Sequence, residues 1–184
     1  MHNGFAGCMG GDGPGKGEVA SKGAGGGGGH GGMGGIAYFN TSVALGGKSY
    51  GNDKLPCEFG SGGGVLELGE GSSGGGVLVF GSMEYPLGVL EVSGSITADG
   101  ADAEKRHGGE LIGGSGGGAG GSVLLFLRSL KMENTSIISS AGGNGAPVGG
   151  AGGGGGRVHL EWVDLLWGEK YVAHSMVETN ISVW

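Results

Sequence analysis

Two carboxylates three positions apart, Asp99 and Asp102, are the nearest pair of aspartates in this chain and could do acid–base work. Cleaving a glycosidic bond needs one carboxyl group to protonate the leaving oxygen and a second to activate water or attack the sugar. The pair sits in ITADGAD, at a strand-to-loop turn, where Asp ordinarily hydrogen-bonds the local backbone. Turn chemistry is therefore the expectation. Residues 42–49, SVALGGKS, nearly spell a phosphate-cradling loop, but a serine stands in place of the first glycine and the backbone nest is not expected. GGAGGGGG before Arg157 matches a loose dinucleotide fingerprint, yet a strand pattern follows where the pyrophosphate-binding helix would start. No cofactor is expected.

Asp99, Asp102 and Glu104 would offer calcium three oxygen donors, with Asp12 and Asp53 in other loops, but no loop carries the acidic ladder closed by a bidentate Glu. His2, His30, His107, His159 and His174 are scattered singly beside two cysteines, without zinc-ligand spacing. No metal is expected. Cys8 and Cys57 are a disulfide candidate: the bond would close a loop of about fifty residues and add roughly 3–4 kcal/mol by chain entropy. Spacing leaves the paired and free states both open.

Three Asn-x-Ser/Thr sequons begin at Asn40, Asn134 and Asn180, glycan acceptors if the chain enters the secretory pathway. Trp167, Tyr171 and Trp184 gather towards the C-terminal end as candidates for stacking on sugar rings. Trp162 shares the phase of Val158 and Leu160 and is expected in the core.

The elements that would position these groups are set by an unusual composition. Of 184 residues 53 are glycine, so ordering the backbone costs entropy with no side-chain burial in return, and the tracts must be flexible or stapled by backbone hydrogen bonds. A disordered linker competes with an ordered tract for residues 10–35. A formal charge of −7 with ten Lys and Arg argues against a nucleic-acid surface. The uncharged apolar stretch from Ile112 to Leu127 is nearly half glycine and falls short of the roughly 20 apolar residues a membrane-spanning helix needs. The opening MHNGFAGCMGGDG has neither the basic nor the apolar region of a secretory signal.

An internal repeat organises the middle of the chain. Residues 74–100, GGGVLVFGSMEYPLGVLEVSGSITADG, resemble residues 120–143, GGSVLLFLRSLKMENTSIISSAGG, with Val77, Leu78 and Phe80 opposite Val123, Leu124 and Phe126, and Ile96 opposite Ile138. GGRVHLEW (155–162) repeats the opening, and GGGVLELGEG (62–71) does so weakly. Short β-branched or aromatic runs bounded by glycine are strands, without tight Asn-Gly hairpin turns between them. The fold expected is all-β: a parallel β-solenoid whose rungs are these strands and whose return loops are the glycine tracts, nested side by side as polyproline-II strands. The divisions are 1–61, a glycine-rich N-terminal segment, 62–167, the solenoid repeats, and 168–184, a C-terminal extension.

Three elements carry a likeness to known proteins: GGGGGHGGMGGIAYFN, then GGKSYGNDKLPCEFGSG with its specific Leu-Pro-Cys-Glu, then the repeat followed by GGAGGGGGRVHLEW. Over roughly residues 7–162 the chain resembles the large glycine-rich proteins of plants, and more loosely the β-helical repeats of bacterial surface proteins. The resemblance implies a secreted or membrane-anchored cell-surface or cell-wall glycoprotein, of which this chain would be an internal portion. Family members carry a signal peptide and membrane segment outside the matching region. Gly29-His30-Gly31 also resembles one element of pectin-cleaving β-helix enzymes, whose other elements are missing.

The function expected is a non-enzymatic structural or adhesive module, extracellular, with wall polysaccharide or another surface protein as partner and neither nucleic acid nor a membrane segment within the chain. The alternatives are a pectinase-like β-helix enzyme, which needs two carboxylates converging in a cleft, and a glycine-rich ligand-binding region like those of certain animal receptor kinases. The last would show bundled polyproline-II strands and a Cys8–Cys57 bond.

Overall fold

The computed structural model describes residues 7–21, 23–66, 71–104 and 113–163, with the backbone of 181–182. Among these the structure is all-β, with no helix. Among the described residues no helix is long and apolar enough to cross a membrane. The strands lie in five short, separate sheets.

The repeat region supplies the parallel pairings. β5 (Val77–Phe80), β6 (Leu90–Val92) and β7 (Ser95–Thr97) come first, and β8 (Ser122–Leu127), β9 (Leu130–Met132) and β10 (Ile137–Ser139) recapitulate them. β8 pairs with β5, β9 with β6 and β10 with β7, all parallel. β11 (Arg157–Trp162) adds to the far side of β8, and β12 (Ile181–Ser182) to the far side of β10. Val77, Ser122 and Arg157 thus stand in one row across the first sheet.

The register corrects the sequence repeat by one residue at its opening. Leu78 pairs with Val123 and Phe80 with Leu125, not with Leu124 and Phe126. The close keeps its expected register, with Ile96 opposite Ile138. A one-residue slip exchanges the faces of a strand, so the choice matters. Val123, Leu125 and Leu127 form the core with Ile138 and Ala98, and Leu78, Phe80, Val158 and Leu160 pack against them. Every residue of β8 is buried. Its uninterrupted apolar run therefore conceals which face is which.

The N-terminal part, which precedes the expected solenoid repeats, is antiparallel. β1 (Val19–Ala20) pairs antiparallel with β2 (Ala24–Gly25), and β3 (Ala37–Phe39) with β4 (Ser42–Ala44). The second is a tight hairpin turning at Asn40-Thr41, with Asn40 at φ 52°. Asn tolerates this left-handed conformation, which a two-residue hairpin turn demands. GGGVLELGEG forms no strand among its described residues.

The glycine tracts pack together as ordered, mostly buried backbone. From residue 116 to 121 the peptide N–H groups donate in rotation to three neighbouring tracts: Gly116 to Gly64, Gly117 to Ala151, Gly118 to Ala101, then Ala119 to Ser61, Gly120 to Gly154 and Gly121 to Ala98. All these bonds measure 2.7–3.0 Å. Their period is three residues, unlike the two-residue alternation of a β-ladder. Side-chain-free backbone makes the approach possible: a Cβ on Gly116, Gly117 or Gly118 would collide with backbone of Gly26, Gly143 or Ser73 respectively. Residues 23–30 are likewise buried, so the linker reading of 10–35 does not hold for its described part.

Candidate functional site

The polar groups that converge in this structure gather around His30, inside the glycine bundle. A Cβ on Gly29 or Gly31 would strike the backbone of residues 47–48 or 155–156, so the chain enters and leaves His30 between two packed tracts. The imidazole has no solvent exposure. Its Nδ1 lies 2.8 Å from the Gly120 carbonyl oxygen. A carbonyl only accepts, so Nδ1 carries the proton and Nε2 is left as a buried lone pair. Nε2 has no hydrogen-bond partner among the described residues. Burial pushes the His30 pKa below its ordinary value, and the Arg157 guanidinium adds to this, against the opposing pull of the Gly120 carbonyl and Glu58.

Tyr50 packs against His30 with ring centroids 5.0 Å apart and planes inclined by 40°. A directed chain of hydrogen bonds runs past it. The Gly15 N–H donates to Ser61 Oγ at 2.9 Å, the Ser61 hydroxyl to Tyr50 Oη at 2.8 Å, and the Tyr50 hydroxyl to the Phe59 carbonyl. Burial raises the Tyr50 pKa, which keeps the phenol protonated as this chain requires. Cys8 borders the same cluster: a Cβ on Gly13, at φ 101°, would lie 2.6 Å from Ser61 Oγ and 3.0 Å from Cys8 Sγ. Burial and the nearby Asp12 charge push the Cys8 thiol up, away from the nucleophilic thiolate.

The Leu55-Pro56-Cys57-Glu58 element closes the cluster from outside. Pro56 is fully buried. The Glu58 carboxylate accepts from the N–H groups of Asn52 and Cys57, and its carbonyl accepts from the Ser122 hydroxyl at 2.7 Å. Arg157 donates to the Tyr50 carbonyl. Glu58 and Arg157 both flank Gly51, whose φ of 88° turns the chain between them. The cluster thereby links the N-terminal loops to the first residues of β8 and β11. Its inner groups, His30, Tyr50 and Ser61, are uncharged and hydrogen-bonded, with one imidazole lone pair unused, and the charged Glu58 and Arg157 lie around them.

Of the residues singled out from sequence, His30, Cys8 and Cys57 lie at this cluster and the other described ones lie elsewhere. Asp99 and Asp102 do not bond their local backbone. Asp99 Oδ1 accepts from the Ser139 hydroxyl at 2.6 Å and the Ala141 N–H at 2.7 Å, and Asp102 Oδ1 from the Asn144 N–H at 2.6 Å. Each clamps the corresponding loop of the next repeat, about forty residues on. The described residues contain no group of three potential metal ligands. Cys8 and Cys57 are both free thiols, so the candidate disulfide is not made. Asn40 and Asn134 are exposed, at the β3–β4 turn and the turn after β9. Trp162 keeps its phase opposite Leu127 but remains 43% exposed, correcting its placement in the core. Asn180, Trp167, Tyr171 and Trp184 lie outside the described residues.

The His30–Tyr50–Ser61 cluster was not legible beforehand. His30 stands alone among glycines, and its carbonyl partner is 90 positions away. Comparison with known proteins finds no family model, no curated protein and no solved structure that matches the chain.

Proposed function

We propose that this chain is a non-enzymatic structural or adhesive module of a glycine-rich cell-surface or cell-wall protein, built as a β-solenoid whose return paths are bundled polyproline-II strands. The observation that carries this reading is the three-residue rotation of hydrogen bonds along residues 116–121, the period of a polyproline-II helix. A bundle joined in three directions through peptide groups resists bending and shear while presenting little side-chain chemistry. That combination suits a spacer or scaffold. The parallel pairings of β5–β7 with β8–β10, in short separate sheets, support the stacked rungs of this reading. Both carboxylates that a pectinase-like site would need, Asp99 and Asp102, are already engaged with the next repeat.

Exposed Asn40 and Asn134 fit an extracellular glycoprotein, and wall polysaccharide or a second surface protein is the partner in this reading. The ligand-binding glycine-rich region of a receptor is favoured by the same bundle, although its expected cysteine bond is not made.

The test is expression through a secretory pathway, followed by glycosidase digestion and a polysaccharide array. Secretion, glycan loss from Asn40 and Asn134, and retention on at least one wall polysaccharide are expected. Retention in the cytoplasm as an unmodified chain would overturn the extracellular reading. Binding to a protein ligand with no polysaccharide retained would favour the receptor reading.

A further inference from the structure

We infer that the open edges of the first parallel sheet are a self-association surface, through which β11 of one chain pairs in parallel with β5 of a second copy. This rests on the solenoid reading above and specifies the partner.

The argument starts with the direction of backbone groups. In a parallel ladder, alternate residues of a strand face alternate neighbours. Ser122 donates to the Gly76 carbonyl, so Leu78 and Phe80 turn their N–H groups towards β8 and Val79 turns its own away. Arg157 donates to the Gly121 carbonyl and Val163 to that of Leu127, so Val158, Leu160 and Trp162 direct theirs away from β8 on the opposite side. Among the described residues, no strand pairs with either outer edge. Unpaired strand edges of this kind are templates for further pairing.

Complementarity favours a second copy over an arbitrary strand. The two edges belong to one sheet and point the same way, so the shift relating β5 to β8 also brings β5 of another chain onto β11. In that register Val77 of the second copy stands opposite Arg157, Leu78 opposite Val158 and Phe80 opposite Leu160. The inward ladders Leu78–Val123–Val158 and Phe80–Leu125–Leu160 would continue across the junction. Trp162, 43% exposed at the end of β11, would lose exposure. Such a contact is head-to-tail and does not close, so it propagates into linear assemblies.

Two measurements test this on the whole chain carrying Cys57→Ser. In sedimentation velocity, heavier species are expected to grow with concentration. Val79→Pro should abolish them without unfolding the chain, because Val79 is 52% exposed and its N–H faces away from β8. In the second measurement a Val79→Cys chain is mixed with a His159→Cys chain under mild oxidation. Adjacent strands place paired Cα atoms about 4.8 Å apart, within disulfide range. A crosslinked heterodimer is expected, exceeding the products of either chain alone.

The control is Glu91→Cys with Lys131→Cys, opposite one another on β6 and β9. Its intrachain bond reports that successive repeats stack. If that bond forms but the chains stay monomeric and uncrosslinked, the self-association is wrong and the stacking stands. If the intrachain bond fails to form, the stacked-rung reading falls and takes the proposed edge with it.

Discussion

His30 donates from Nδ1 to the carbonyl oxygen of Gly120 at 2.8 Å, joining two glycine tracts through the one ring buried between them. The bond fixes a neutral imidazole, and the pH dependence follows from that. The unfolded chain takes up a proton at His30 near the ordinary value of 6.5, while the folded chain, its pKa lowered by burial, takes it up only at lower pH. Between these values the unfolded state holds more protons, so stability falls as pH decreases. Thermal unfolding should show a plateau above about pH 7 and a decline below about 6.5. His30→Gln should flatten that decline. An unchanged slope in the variant would place the acid sensitivity elsewhere.

Glycine positions divide into two classes that substitution should separate. Gly116→Ala places a methyl group against the Gly26 carbonyl, where only backbone movement could relieve it, and should cost about 3 kcal/mol or more or prevent folding. Nothing lies within 4 Å of a Cβ at Gly88 or Gly94. Alanine there should be neutral or stabilising by up to roughly 1 kcal/mol through the unfolded state. Denaturant titration of the three variants decides the matter, and equal losses at all three would refute the bundle.

The carboxylate clamps predict a stability effect. Asp99→Ala removes acceptors from Ser139 and the Ala141 N–H, and Asp102→Ala removes one from the Asn144 N–H. Each should cost about 1–2 kcal/mol. The two engage neighbouring parts of one loop, so the double variant should depart from additivity. Urea titration of the single and double variants measures both quantities.

The register of the first sheet makes a sharper prediction. Leu125, fully buried between Phe80 and Leu160, should cost about 2–5 kcal/mol when replaced by alanine. Val79→Ala, on the outward face of the adjoining strand, should stay within about 0.5 kcal/mol. Calorimetry on both variants checks the assignment of faces.

Much of the strand arrangement could be read from sequence because it repeats. Ile96 and Ile138 were aligned as the structure pairs them. The opening of the repeat reads one residue out of register because β8 is apolar from Val123 to Leu127, and a strand buried on both faces carries no alternation to mark its phase. Asn40-Thr41 carries no clear hairpin signal in sequence because the usual second glycine is absent, leaving Asn40 alone to supply the positive φ. The Asp clamps were expected to be local, and only stacking brings Ser139 and Asn144 to them. The polar cluster is the least legible part. Tyr50, Ser61 and Gly120 reach His30 through tract packing, for which glycine runs offer no side-chain pattern.

A body filled by amides has a calorimetric consequence. Unfolding an ordinary domain raises the heat capacity by about 12–15 cal/mol/K per residue, because exposed hydrocarbon increases it more than exposed peptide lowers it. In the tract surrounding Gly117, melting hydrates chiefly peptide groups. The increment per residue should therefore fall well short of the usual one. The curve of free energy against temperature would be correspondingly shallow, and cold denaturation would recede to lower temperature.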